Sequence, residues 1–178
     1  VEINEEVKAT VKAEDVEDLY AAVLEIEYDS DFFELVDVAV AEGLDATLVY
    51  DDEGGILSVV ITLIGDREGI SGDADLIDIT FKAKDKDGVT EVIALEGSSF
   101  VNSYGDYTNL EAEVVQSIVV ANSDVTGGGL DINDLALIAK AFGAVEGDAN
   151  YNPALDINKD GVIDIIDIAY VASRLLAK

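Results

Sequence analysis

An antiparallel β-sandwich of about nine strands, a jelly roll or a close relative of one, followed by a small α-helical module of two loop-helix repeats, is the architecture this sequence predicts. Three observations lead there. Residues 1–121 read as short β-branched runs separated by Gly- and Asp-rich turns. Near Asn122 the apolar period changes from two to about 3.6 residues. Beyond that point, one stretch of sequence is repeated.

In the first region Val7, Ala9 and Val11 alternate with Lys8, Thr10 and Lys12, and Leu24, Ile26 and Tyr28 alternate with Glu25 and Glu27, so each strand buries one face. Further strands are expected at Leu35–Val40, Ala46–Tyr50, Leu57–Ile64, Leu76–Ala83, Val89–Leu95 and Ala112–Val120. The segments Asp51-Asp52-Glu53-Gly54-Gly55 and Asp85-Lys86-Asp87-Gly88 carry the Gly and Asp that tight hairpin turns need for positive φ.

The second module is expected over residues 122–178, with Gly127-Gly128-Gly129 just past the boundary. Within it, Asp131–Ala139 aligns without gaps on Asp164–Ala172. Each copy is a loop feeding a helix, expected from about Ile132 to Phe142 and from about Ile165 to Leu176, with Gly143 placed to stop the first. The single proline, Pro153, falls between the copies.

The second loop carries the chemistry. Asp156 to Asp167 fits the twelve-residue calcium template, whose ligands stand at positions one, three, five, seven, nine and twelve. Asp156, Asn158 and Asp160 would supply side-chain oxygens and Val162 its backbone carbonyl. Asp164 would bind directly or through water, and Asp167 closes the shell from the first turn of the helix. Gly161, at position six, permits the sharp turn, and Ile163 is expected in the module's core. The plainer reading is an acidic turn with Asp164 capping a helix. Four carboxylates, an Asn and a Gly all at template positions favour calcium, and without a cation these carboxylates would repel one another. Calcium binding is therefore expected to supply folding free energy to this module.

The first loop is one residue shorter, and Gly128 stands where an Asp belongs. Asp124, Thr126, Asp131 and Asp134 remain as ligands for a contracted loop, with fewer charges and so weaker affinity. Oxygen-bearing residues recur at Asp148, Asn150 and Asn152, where a turn is the expected use.

Composition excludes several functions. With 39 acidic against 10 basic residues and a net charge of −29, the chain repels nucleic acid and anionic membranes. It has no Cys and no His, which removes disulfides, structural zinc, thiol catalysis and Ser-His-Asp hydrolysis. An enzyme is not expected. Sugar binding by the sandwich would draw on Tyr20, Tyr28, Tyr50, Tyr104 and Tyr107, but there is no Trp to provide the usual stacking platform. No apolar run reaches the roughly 20 residues needed to span a bilayer, and no signal sequence opens the chain. With no Met anywhere, Val1 is expected to be the start of a mature or excised fragment, which leaves secretion open.

The duplicated loop-helix resembles a dockerin, the calcium-dependent plug module of cellulosomes and related surface assemblies. Asp156–Leu176 carries the likeness closely, Asp124–Gly143 carries it with the deletion, and Gly147–Pro153 is similar to the link between repeats. Residues 1–121 resemble a cohesin, the nine-stranded jelly roll that receives dockerins, through Asp18–Asp29, Ile70–Lys84 and Phe100–Ser103. The resemblance implies a non-catalytic extracellular or cell-surface scaffold. In it the β module accepts a dockerin, the C-terminal module plugs into a cohesin, and self-association of copies is one outcome. It also implies that loop positions ten and eleven help choose the partner. These are Ile165 and Ile166 in the second copy and Ile132 and Asn133 in the first, where the best-known pairs are hydroxyl residues. Packing in the module's own core is the equal alternative for Ile165 and Ile166. Lys140, Tyr170, Ser173 and Arg174 are further candidates for that interface, and Lys140, Arg174 or Lys178 would supply local positive charge. A structural surface-layer segment is a third reading, differing only in its partner.

Overall fold

The computed structural model describes residues 1–177; Lys178, one of the basic residues above, lies outside them. Nine strands and two helices follow in chain order: β1 (Glu6–Tyr28), β2 (Phe33–Val40), β3 (Ala46–Glu53), β4 (Ile56–Leu63), β5 (Ile70–Ala83), β6 (Gly88–Ala94), β7 (Ser99–Asn102), β8 (Tyr107–Asn109), β9 (Glu113–Val120), α1 (Ile132–Lys140) and α2 (Ile165–Leu176). The chain divides into two units. A β unit comprises Asn4–Lys84 and Thr90–Ile118, and a second unit comprises Val1–Ile3, Asp85–Val89 and the chain from Val119 onward.

The β unit is an antiparallel sandwich with β1 running through both layers. Its N-terminal half pairs with β5 from Glu6↔Lys82 onward, and its C-terminal half pairs with β4 from Ala21↔Thr62 to Glu27↔Ile56. The two strands expected there are thus one. Register shifts at Val11/Lys12, Ala13/Val16 and Val16/Leu19, with positive φ at Asp15 and Asp18, bend the strand without ending it, as β-bulges do. The path β2-β5-β1-β4-β3 carries most of the sheet; β6 and β7 also pair with β1, β8 pairs with β7, and β9 with β6.

The expected alternation holds where it matters for the core. Ala9, Val11, Leu24 and Ile26 of β1, Leu57 and Val59 of β4, and Ile77, Ile79 and Phe81 of β5 are buried. Phe81 packs against Tyr28 and Phe33 with ring centroids 4.9 and 5.2 Å away. The β3–β4 hairpin turns on Gly54 and Gly55, at φ +64° and +106°, as the sequence predicted. Any side chain at Gly55 would meet the Tyr28 carbonyl at 2.7 Å. The second expected hairpin turn, Asp85–Gly88, joins β5 to β6, but β6 pairs with β1 and β9 and not with β5.

In the second unit, Ile138, Ala144, Leu155, Ile157, Ile163 and Val171 form a small core with Ala121, and Val125, Leu130, Leu135, Tyr151, Ile168, Tyr170 and Leu175 pack around it. Both helices begin in capping boxes, Asp131 with Asp134 and Asp164 with Asp167. α1 ends at Lys140, and Gly143 follows at φ +85°. No helix among the described residues is long and apolar enough to cross a membrane.

Candidate functional site

The second loop wraps around two buried carboxylates, Asp156 and Asp167, each fully shielded from solvent. Asp167 Oδ1 accepts the amides of Ile157 (2.7 Å) and Asn158 (3.2 Å), and its Oδ2 accepts that of Asp164 (2.8 Å). Asp156 Oδ2 accepts the Gly161 amide (2.8 Å) and the Tyr151 hydroxyl (2.6 Å), and its Oδ1 accepts the Asp160 amide (3.2 Å). A carboxylate has roughly four acceptor positions, so each of these two keeps one. Tyr151 titrates accordingly: the bond to Asp156, then burial and the neighbouring carboxylates, push its hydroxyl up to about 12.

The rest of the template is present as backbone geometry. Gly161 takes φ +90° and Lys159 φ +59°. Ala144 to Glu146 runs antiparallel to the loop's far side: Gly143 N–H donates to the Ile163 carbonyl, Glu146 N–H to the Gly161 carbonyl, and Ile163 N–H to the Ala144 carbonyl. The carbonyls on either side of Val162, those of Gly161 and Ile163, are thus both taken up by this segment. Asp160 accepts the Val162 amide and the Asn158 side-chain amide, so Asn158 and Asp160 face each other. Asp164 accepts the Ile166 amide and caps α2, the role of the plainer reading, from the template's ninth position. Among the described residues no three acidic side chains are drawn tightly enough together to form a ready cation cage. The oxygen donors at the template positions are of the kind calcium takes, and Asp156, Asn158, Asp160, the Val162 carbonyl, Asp164 and Asp167 are the residues that would hold it.

The first loop repeats this plan with other donors. Asp134 is fully buried; its Oδ1 accepts the Thr126 amide and hydroxyl, and its Oδ2 the Asp131 amide. Burial alone would raise its pKa, but these bonds outweigh burial and hold the carboxyl below the usual range. Asp124 accepts three glycine amides in succession, Gly127 and Gly128 on Oδ1 and Gly129 on Oδ2. Asp131 is occupied by the Asn133 amide and side chain. Asp148 and Asn152 close turns on themselves, as expected.

The candidate partner residues divide. Ile132, Ile165 and Ile166 are 66, 62 and 53% exposed, so core packing does not account for the isoleucines at positions ten and eleven. Asn133, Lys140 and Ser173 are exposed too, whereas Arg174 is half-buried and Tyr170 packs on the core, because Tyr170 falls one residue before the fully buried Val171. Ile163 is fully buried, as expected.

The sequence did not reveal a surface on the β unit that only strand register assembles. One row across the outer face reads Tyr107, Val101, Ala21, Thr62, Thr47, and the next Asn109, Ser99, Val23, Val60, Val49. Their neighbours Ala22, Leu57, Val59 and Ile61 point inward and are buried, while Val49 and Val60 are 68 and 44% exposed. None of these ten positions is charged, in a chain of net charge −29. Acidic residues begin at the next row, Glu25, Ser58, Asp51, where the Ser58 hydroxyl donates to Glu25. The available signal was an apolar residue at an outward position of an alternating strand, Val60 between Ser58 and Thr62.

Known structures share this fold. The cohesin module of a Clostridium perfringens family 33 glycoside hydrolase is 17% identical with a TM-score of 0.62, covering 68% of this chain and 90% of that one. A non-cellulosomal cohesin from the hyperthermophilic archaeon Archaeoglobus fulgidus is 18% identical with a TM-score of 0.55, covering 70% and 88%. A chain of a type I cohesin–dockerin complex from Clostridium thermocellum is 16% identical with a TM-score of 0.54, covering 68% and 92%. No curated protein matches the chain. The family model for the cohesin domain matches residues 2–121, well over half the sequence, and the chain therefore belongs to the cohesin family.

Proposed function

We propose that the chain is a non-catalytic, extracellular or cell-surface scaffold that assembles proteins in a calcium-dependent way: its β unit receives a dockerin-type helical module, and its own C-terminal loop-helix pair is a plug for a cohesin face. The uncharged ten-residue face carries the reading. An acidic protein needs no such surface for solubility, and neutral, partly apolar patches with a polar rim are what partner faces are made of. The structure solved from Clostridium thermocellum is a cohesin–dockerin complex, which supports the same use of the fold here.

On the plug side, exposed Ile132, Ile165 and Ile166 stand directly at the starts of α1 and α2, where the two loops set their positions. Calcium held by Asp156, Asn158, Asp160, Val162, Asp164 and Asp167 would fix the entry of α2 and so preorganise that apolar surface, lowering the ordering cost of binding. Carbohydrate stacking is less well supported, since Tyr28 is buried and there is no Trp to provide a flat platform.

Sedimentation across a concentration series, first in calcium and then in chelator, tests this. Mass that grows with concentration only in calcium is expected if copies join head to tail. A monomer in both conditions directs the search to a dockerin or cohesin on a different polypeptide. Growth that ignores calcium, or that survives Val60→Asp unchanged, overturns the reading.

A further inference from the structure

Tyr151 lies outside the twelve-residue template, in the link between the two loop-helix copies, and the calcium template assigns it no role. Its ring is half-buried against the core formed by Leu155, Ile157 and Ile163. Its amide is fixed by the Asp148 carbonyl at 3.1 Å, and its hydroxyl donates to Asp156 Oδ2 at 2.6 Å. Backbone, ring and hydroxyl are each held, and the backbone anchor, Asp148, lies in the link and outside the loop that the hydroxyl serves.

The two oxygens of Asp156 are unequally occupied. Oδ2 takes the Tyr151 hydroxyl and the Gly161 amide and is filled; Oδ1 takes only the Asp160 amide. The carboxylate thus offers a single oxygen, with its plane fixed by bonds on both sides. A neutral donor suits the task, because a lysine there would bring a positive charge beside a cation. The first loop solves the same problem with backbone alone: Gly129 and the pair Gly127 and Gly128 fix Asp124. In the second loop the opening carboxylate is bonded by a side chain from outside the loop's own sequence, whereas the bonds to the Asp124 carboxylate come from the loop's own amides.

We infer that Tyr151 is a positioning residue for the calcium loop, aiming Asp156 so that one defined oxygen faces the ion. The inference rests on the calcium reading of Asp156–Asp167, and the experiment separates the two. Calorimetric titration of the full chain with calcium chloride is compared with Tyr151→Phe, which keeps the ring and removes only the hydroxyl. Removing a hydrogen bond to a buried carboxylate predicts roughly tenfold weaker calcium binding. The far-UV circular dichroism in calcium should be unchanged, as should the calcium-free melt of the β unit. Tyrosine fluorescence supplies a second readout: calcium should perturb it in the natural chain, and much less in the variant. Affinity within twofold of the natural chain, with an unaltered fluorescence response, overturns the role of Tyr151 while leaving the loop intact. A natural chain that takes up no calcium at all overturns the calcium reading itself.

Discussion

The two loops of the second unit are built on one plan and differ in charge. Each opens on one carboxylate and closes on a fully buried one at the third position of a helix: Asp124 with Asp134, Asp156 with Asp167. Each of the four accepts three hydrogen bonds. Between them the first loop places three glycines, whose amides are its donors, and the second places Asn158, Asp160 and Gly161. The first loop can close through amides and a threonine alone. The second gathers additional negative charge that a cation would offset. The plan of the backbone therefore does not decide whether an ion is needed; the charge at the intervening positions does.

The largest effect should come from breaking the charged loop. Asp156→Ala leaves buried donors unmet and removes a proposed calcium ligand, while Asp160→Ala removes a proposed ligand whose own side chain is exposed. Both should abolish tight calcium binding by calorimetry and weaken the module as chelator does, Asp156→Ala the more so, seen as loss of helical signal with the strand signal retained. Next, Ile163→Ala, at a fully buried core position within the loop but not at a template ligand position, should cost about 2–5 kcal/mol in the module's stability whether or not calcium is present. A denaturant melt in calcium and in chelator checks that independence.

Gly128→Asp sharpens the comparison from the other side. Gly128 has no positive φ and open space where a Cβ would stand, so the change is tolerated by the backbone. It restores a carboxylate to the first loop and should raise that loop's calcium affinity by roughly tenfold, on charge count alone. The smallest effect is on pH. Hydrogen bonds hold the Asp134 carboxyl below its ordinary value, so its contribution is present above about pH 4 and is lost as the pH falls through the folded value. A series of melts from neutral to acid pH should show the module weakening only in that lowest range.

Part of this was legible in the sequence. The alternation of Val7–Val11 and Leu24–Tyr28 marked strands, and the gapless repeat marked the two helices, each opening on an Asp capping box. The continuity of β1 was hidden because Glu14-Asp15-Val16-Glu17-Asp18 reads as a polar turn, while bulges let the ladder run through it. β7 and β8 were missed since four and three residues cannot display a period. The uncharged face was illegible for a different reason: periodicity tells which residues share a side of one strand, and only register brings Val49, Val60 and Val23 into line. Exposure of Ile165 and Ile166 was likewise undecidable, because residues in a helix's first turn face whichever way the preceding loop delivers it.

Scanning calorimetry of the whole chain, in calcium and in excess chelator, tests the central claim most directly. Calcium-coupled folding of the loop-helix module predicts two transitions, the smaller moving to markedly lower temperature or vanishing with chelator while that of the sandwich stays in place. Identical traces in both conditions would contradict it.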